Sequence, residues 1–594
     1  MFNTGLSRVV LASILVASGC SDSSDPAGTT STSDTTGTPS TANGTTTSTA
    51  TTQGAGTTTN TTGSSVTAGS VTGSTVTGST VTGGPTTGTG TVTSGGTTTT
   101  TTAGVGGATS SATVDGGTDT GTTGGNPDVL TVQLQEARQI IRGFGINATI
   151  MPSGESLPWE QLFTLEGANA LGLSILRIGM HEEGGHRSVP SDWETARTLG
   201  ARIIGSCWSA PAGWKSNNSV TGGGSLLPEY YDDWAGRIAD YAADNDLYAM
   251  SIGNETDFAS CAPSQGRPCN PPLTDEYESM VYTGKELTEF VKVAGPIFDE
   301  RAPNTKMIAP EASLWIHVWS NLSPTNAANG GYDSSDPLEC NCYSNEITAA
   351  AEATCEAHCL KGAGGELAEG GYDYGHWLAS DPEAWAAFDI MGVHEYESQV
   401  GYAWPADVTG GVRDKEVWQT EMSGVMHWPE QGPSTDIDNG LAVARWIHSA
   451  LTVGEASAWL YWWYEAYYQN DNEGLALVQG SSTIAKRYYT MGNFSRYIRP
   501  DIFHAVRVAG PSPENVMVSA YTGDGGELVI VAINETGAAV DVPIAITGGT
   551  APASMVPYVT SASDNWAEGA AVTVADGSLP AALPAKSVTT YVSN

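Results

Sequence analysis

YAMSIGNE at 248–255 and KEVWQTE at 415–421 decide how this chain folds. Each is a short run dominated by apolar or strand-forming residues that ends in acid: Asn254-Glu255 in the first, Glu421 in the second. Between and around them, similar runs alternate with longer helical stretches, which is the texture of βα units on a parallel sheet. Eight candidate strands lie near Ile140–Asn147, Leu173–Ile178, Ala201–Cys207, Tyr248–Asn254, Lys306–Ala309, Phe388–His394, Glu416–Glu421 and Ala456–Trp463. Eight such units over residues 142–500 predict an α/β fold, a (β/α)8 barrel with insertions. Beyond Pro500 the period changes. NVMVSAYT, ELVIVAIN and KSVTTYV alternate over short lengths with Gly, Pro and Asn between them, so 501–594 reads as an antiparallel β-sandwich side domain. The strand-like LTVQLQ at 130–135, within 127–141, is expected to join that sandwich as its N-terminal strand.

Upstream of the barrel the chain is of another kind. Residues 1–20 carry Arg8, an apolar stretch from Val9 to Ala17 and then Ala17-Ser18-Gly19-Cys20. This is the layout of an export signal, too short to span a membrane, and its end resembles the lipobox of bacterial lipoproteins. Ordinary signal cleavage beside a stray cysteine is the blander reading. Ser21 rather than Asp after the cysteine favours, by the same resemblance, the outer envelope, so the expected location is extracellular or at the cell surface. Residues 21–126 are almost entirely Thr, Gly, Ser and Ala, with repeats such as SVTGSTVTGSTVTGG. With no bulky residues to bury, such a segment cannot offset its ordering entropy and reads as a disordered tether.

The formal net charge is −40, from 64 acids against 24 bases. A surface of that sign repels nucleic acid and anionic membranes and leaves a neutral polymer as the easier partner. Membrane association is expected only through a lipid at Cys20, and the protein is expected to act as a monomer. Six of the eight cysteines fall in two local clusters, Cys261/Cys269 and Cys340, Cys342, Cys355 and Cys359. Export favours disulfides there, and because both thiols of each pair can face the other pair, two are feasible; of three connectivities the nested one, Cys340–Cys359 with Cys342–Cys355, is preferred. A zinc site is the alternative reading of the same four thiols. Cys207 reads as a buried free thiol.

Glu255 and Glu421 fall after the fourth and seventh candidate strands, which face one another across a barrel mouth. A lone glutamate at a strand end is as readily a salt-bridge partner or a helix cap. Two of them, on strands that converge, suit chemistry that needs one carboxyl protonated and one ionised on either side of a sugar, about 5–5.5 Å apart. Arg177, at the end of the second strand, can hold Glu421 ionised by charge pairing. Tyr396 can donate a hydrogen bond to it. Trp208, Trp462 and Trp463 offer flat apolar faces to sugar rings, or serve only as packing. His394 reads as a satisfied structural histidine.

Several longer stretches carry a family resemblance. RGFGINAT at 142–149, LSILRIG at 173–179, CWSAPAGWKSNNSVTGGGSL at 207–226, SIGNETDF at 251–258, WQTEMSG at 418–424, KRYYTMGNFSRYIRP at 486–500 and LPAKSVTTYV at 583–592 resemble glycoside hydrolase family 30. The resemblance covers the chain from about 127 to its end. It implies a (β/α)8 barrel with an attached β-sandwich, a retaining mechanism, and no metal or organic cofactor. By motif position it implies Glu255 as acid/base, Glu421 as nucleophile and Asn254 as the partner of the sugar 2-OH. Arg177, Trp208, Tyr396 and Trp462 or Trp463 match positions lining the site.

The likeness is best to the bacterial xylanase branch, through KSNNSVTGG, DEYES at 275–279 and YVTSASDNW at 558–566. Two departures matter. Thr256 stands where the family usually has proline. In the glucuronoxylanases of that branch an arginine shortly after the strand-eight tryptophans grips the glucuronate branch of xylan. Here that stretch reads WWYEAYYQNDNEG, with Tyr467 near the matching place and no Arg or Lys between Trp462 and Gly474. The expectation is an endo-β-1,4-xylanase without strict need for glucuronate. The alternatives are a β-1,6-glucanase or β-1,6-galactanase, and an inactive surface carbohydrate-binding protein.

Overall fold

The computed structural model describes residues 129–151, 155–259, 277–318, 367, 372–396, 414–424, 434–466, 473–478 and 481–594. Cys20, the tether, the Cys261/Cys269 pair, the four cysteines from 340 to 359 and Tyr467 lie outside the described residues. Among those described, no helix is long and apolar enough to cross a membrane.

After β1 (Thr131–Ile140), eight strands close into a barrel: β2 (Gly143–Asn147), β3 (Ile175–Met180), β4 (Arg202–Cys207), β5 (Ala249–Ser251), β6 (Lys306–Ala312), β7 (Ile390–His394), β8 (Glu416–Glu421) and β9 (Ala458–Tyr461). Every pairing in the ring is parallel, and β9 returns to β2 through Gly143↔Ala458 and Ile146↔Tyr461. Two short strands that follow, β10 (Trp463–Glu465) and β11 (Gly474–Leu477), pair in parallel with each other. The period of two explains the packing. Ile175, Ile204, Ala249, Ile308, Ile390, Trp418, Ala458 and Leu460 come from seven of the strands and form a fully buried cluster of their own, the filling of the barrel. The eighth strand contributes Gly145, where a Cβ would lie 2.6 Å from the Ile175 carbonyl oxygen and 2.8 Å from Leu460 Cγ. Only glycine lets the ring close at that height. Alternate residues such as Phe144, Leu176, Ile178 and Ile203 join the larger core outside the ring.

The surrounding helices start where local chemistry directs. Gly284–Arg301 opens with a capping box, in which Thr283 Oγ1 accepts from the Glu286 amide and the Glu286 carboxylate accepts from the Thr283 amide. Ile437–Thr452 opens on Asp436, whose carboxylate accepts from the Asn439 amide.

The side domain is built from β12 (Phe503–Ala509), β13 (Val516–Gly523), β14 (Leu528–Asn534), β15 (Val540–Thr547), β16 (Ser554–Thr560), β19 (Ser578–Leu583) and β20 (Ser587–Ser593), with the short β17 (Ala567–Glu568) and β18 (Val572–Thr573) on β16. β1 lies in the same sheet, antiparallel to β12 and parallel to β15. Two details differ from a plain antiparallel sandwich. The hydrogen-bonded ladder runs unbroken through nine strands, with β18 off the path as a further partner of β16, and one pairing is parallel because β1 enters from before the barrel. The sheet folds over a single core that includes Val132, Val518, Ile530, Ile544, Leu579 and Tyr591. The barrel meets it through the helix Lys486–Ser495. Asn493 donates to Thr590 Oγ1 at 3.0 Å, and Trp566 Nε1 donates to the Tyr489 carbonyl at 2.6 Å.

Candidate active site

The C-terminal rim of the barrel gathers polar side chains that the apolar strands beneath deliver to one place. Arg177 on β3, Asn254 and Glu255 just after β5, Glu311 on β6, His394 at the end of β7, Tyr396 just after it and Glu421 at the end of β8 are all buried, none more than 3 % exposed. β5 is shorter than its apolar run suggests and ends at Ser251. Glu255 therefore stands four residues beyond the strand, with φ +50°. A left-handed backbone is uncommon for a residue with a Cβ, and it turns the side chain inward from the loop.

Arg177 organises the cluster. Its NH1 donates to Glu421 Oε2 at 2.6 Å, and its NH2 reaches Asn254 Oδ1 at 2.6 Å and Glu311 Oε2 at 3.3 Å. Tyr396 donates its hydroxyl to Glu421 Oε1 at 3.0 Å. Glu255 has weaker company: Tyr277 Oη at 3.4 Å and His394 Nδ1 at 3.3 Å. A carboxylate oxygen of Glu255 lies within 4.8 Å of one of Glu421, with His394 between them.

The two carboxyls are thereby made different. Burial raises the Glu255 carboxyl well above the ordinary glutamate range, and the charges of Glu421 and Asp257 add to the rise. Burial raises Glu421 as well, but Arg177 opposes it through its charge and its hydrogen bond, and the Tyr396 hydroxyl helps. Of the pair, Glu255 holds the proton and Glu421 the charge. His394 is kept neutral by burial and by the Arg177 charge. Its Nδ1 also lies 3.8 Å from Glu421 Oε1.

Of the aromatic residues, Trp208 is 3 % exposed, with the Arg177 guanidinium 5.1 Å and the Arg187 guanidinium 4.6 Å from its ring centroid. Trp462 and Trp463 are buried and stack on each other at 5.0 Å, and Trp463 Nε1 donates to the Thr149 carbonyl at 3.0 Å. Their rings meet protein side chains and backbone here. Cys207 is buried and free, and burial pushes its thiol up, out of the range of a nucleophile. Glu255, His394 and Glu421 also have the closeness of a cation site, as do His181, Glu182 and Glu278. A cation at the first would compete with Arg177 for Glu421, and at the second with Arg187, which already pairs with Glu278.

Two residues escaped the sequence reading. Tyr277 sits in the DEYES stretch, which marked the region without marking its role. Glu311 follows Pro310, beyond the run Lys306–Ala309 that the sequence marks as strand.

No family model matches the chain. It is 28% identical over 486 residues to the glucuronoxylanase XynC of Bacillus subtilis (strain 168), covering 78% of this chain and 92% of that protein. Its fold matches the family 30 subfamily 8 xylanase Xyn30A of Clostridium acetobutylicum, with a TM-score of 0.55 and 25% identity over 78% of this chain and 99% of that one. It also matches the family 30 endoxylanase of Clostridium papyrosolvens C71, with a TM-score of 0.54 and 27% identity over 79% and 100%. The chain is a glycoside hydrolase similar to the family 30 xylanases over most of its length. The rim supplies two buried carboxyls of unequal character: burial and neighbouring charge raise Glu255 well above the ordinary range, whereas Arg177 opposes the rise at Glu421.

Proposed function

We propose that this hydrolase is a retaining endo-β-1,4-xylanase whose proton donor is Glu255 and whose nucleophile is Glu421. The observation that carries the reading is the close, unequal pair: carboxylate oxygens within 4.8 Å, and Arg177 bonded to Glu421 alone of the two. Inverting enzymes hold their carboxyls about 6.5–9.5 Å apart to admit a water, and retaining ones about 5–5.5 Å apart. In the first step Glu421 attacks carbon one of the sugar while Glu255 gives its proton to the departing oxygen. The ester that forms has no charge at Glu421. One cause of the raised Glu255 carboxyl then disappears, and Glu255 becomes a better base. In the second step it takes a proton from water as the water's oxygen attacks carbon one and releases Glu421. The names of the relatives, glucuronoxylanase and endoxylanase, support xylan as the substrate. Hydrolysis of β-1,4-xylan, followed by proton NMR, tests the reading: the first product formed carries the β configuration. An α product would overturn it.

The enzyme is further proposed to cut xylan without depending on glucuronate branches. A buried carboxylate on the substrate needs a charge-assisted partner, and losing one typically costs about 2–5 kcal/mol. From Trp462 to Gly474 the chain offers no cation. It offers Glu465 on β10 (Trp463–Glu465), whose carboxyl burial and the neighbouring Glu155 push upward. Matched xylo-oligosaccharides with and without one glucuronate should give kcat/KM values within roughly tenfold of each other, less than the loss of one such contact. A preference of roughly a hundredfold or more for the branched oligomer would show that another residue grips the acid.

Export and a lipid at Cys20 complete the proposal, with the tether giving the catalytic part reach from the envelope. Cys20→Ser should move the protein from the detergent phase to the aqueous phase. Recovery of the parent protein in the aqueous phase with an unmodified N-terminus would count against anchoring.

A further inference from the structure

Glu311 is a fully buried carboxylate for which the two-step mechanism has no use. Its setting is unusual in three ways. It occupies a bulge in β6, where the register with β7 shifts between Pro310 and Ala312. It has φ +59°, the left-handed region that costs a residue with a Cβ. Its backbone also lies tight against β7, where a Cβ on Gly392 would come 3.2 Å from Glu311 Cα. Bulges beside active sites re-aim side chains, and this one aims both ends of its residue at the catalytic pair. The Glu311 carbonyl accepts the amide of Glu255 at 2.9 Å, tying two left-handed residues together. The Glu311 carboxylate accepts from Ser206 Oγ at 2.5 Å and from Arg177 NH2 at 3.3 Å, on the arginine whose other arm holds Glu421.

We propose that Glu311 is a positioning residue for both catalytic glutamates: its main chain fixes the Glu255 loop, and its carboxylate divides the charge of Arg177 with Glu421. The inference rests on the retaining mechanism above. An arginine given wholly to Glu421 would make that carboxylate easy to ionise and poor at attacking. An arginine shared with a second carboxylate leaves it ionised at working pH and still basic.

The surroundings support this division. Arg177 on β3, Ser206 on β4 and Tyr396 after β7 bond to Glu311 or Glu421, His394 at β7 lies 3.8 Å from Glu421, Cys207 on β4 feels the charge of Glu311, Asn254 after β5 shares Arg177, and Asp257 acts on Glu255. Burial keeps His394 neutral and the Cys207 thiol protonated. Asp257 spends its charge on Ser313, the Leu314 amide and His317. Among these groups Arg177 is the permanent cation, and Glu311 is the carboxylate that competes with Glu421 for it. The charge of Glu311 raises the Glu421 carboxyl, in opposition to Arg177.

The test is the pH profile of kcat/KM for Glu311→Gln, which keeps an acceptor for Ser206 and Arg177 and removes only the charge. The acid limb, where Glu421 gains its proton, should move down by about one pH unit, with kcat lowered and KM little changed. Glu311→Asp, which restores the charge, should bring the limb back toward its place. A merely structural role would lower activity in both variants and leave the limb where it is, and that result overturns the proposal. Should Glu311→Gln fail to fold, Ser206→Ala serves instead. Without the hydroxyl, Glu311 draws harder on Arg177 and the limb moves up, and an unmoved limb would again overturn the proposal. The parent enzyme separates this idea from the one beneath it. A parent profile with no acid limb removes both, whereas a parent limb that neither variant moves removes only the role of Glu311.

Discussion

Glu421→Ala lowers kcat on xylan by roughly 10⁴-fold or more, because without the carboxylate no glycosyl-enzyme can form. The side chain is fully buried, and alanine leaves Arg177 NH1 and the Tyr396 hydroxyl without the acceptor each now has at 2.6 and 3.0 Å. Glu255→Ala behaves differently. Losing a proton donor costs about 10²–10⁴-fold on natural xylan, whose leaving oxygen needs the proton. Aryl xylosides with good leaving groups need no donor and should still form the intermediate, which then accumulates for want of a base. Azide needs no base, and it should speed turnover of the Glu255 variant while releasing a β-glycosyl azide. Steady-state rates on the two substrate types, with and without azide, check both statements. Near-normal activity in Glu421→Ala, or an azide effect in that variant giving a β product, would mean that the two roles are misassigned.

The part of this machinery that could be read from sequence is the part written locally. A parallel strand buried on both faces appears as a short apolar run, and a catalytic acid at its end appears as a sudden change of polarity. Tyr248–Glu255 and Glu416–Glu421 show both signs. Glu311 shows neither. Pro310 ends the apolar run Lys306–Ala309, so the acid after it looks like the start of a loop. Its place is fixed by the bulge against β7 and by Gly392, which lies 81 positions away in the chain. The tryptophans stay open in the sequence for a similar reason. An aromatic residue near a barrel rim reads the same whether it faces a sugar or a guanidinium, and only the tertiary structure places Arg177 and Arg187 over the Trp208 ring. Similarly, the continuity of the ten-stranded sheet depends on β1 pairing with strands more than 350 residues later, which no local pattern encodes.

Arg177→Met should be the most damaging substitution that leaves both glutamates in place. Methionine preserves much of the stem that passes Trp208 and removes the charge that Glu421 and Glu311 share. Breaking a buried ion pair from one side typically costs about 3–5 kcal/mol, because the partner is left charged and unpaired. In the variant the Glu421 carboxyl, already raised by burial, loses the influence that opposes the rise. At neutral pH it keeps its proton more of the time, and kcat/KM should fall by roughly 10²–10³-fold, the scale expected when a preorganised charge is removed from a reacting centre. A carboxyl raised in the folded state and ordinary in the unfolded one, near about 4.3, binds more protons when folded. Its stability contribution is then complete below the unfolded value and is lost as pH rises through the folded one. The gap in Tm between parent and variant should therefore be wide at neutral pH and close as the pH falls toward 4. The parent reinforces this trend, because protonating its own carboxylates leaves Arg177 unpaired. Thermal melts of both proteins across that range make the measurement. A gap of equal size at every pH would mean that Arg177 acts by packing on Trp208, and that the charge at the centre of the site is held by some other means.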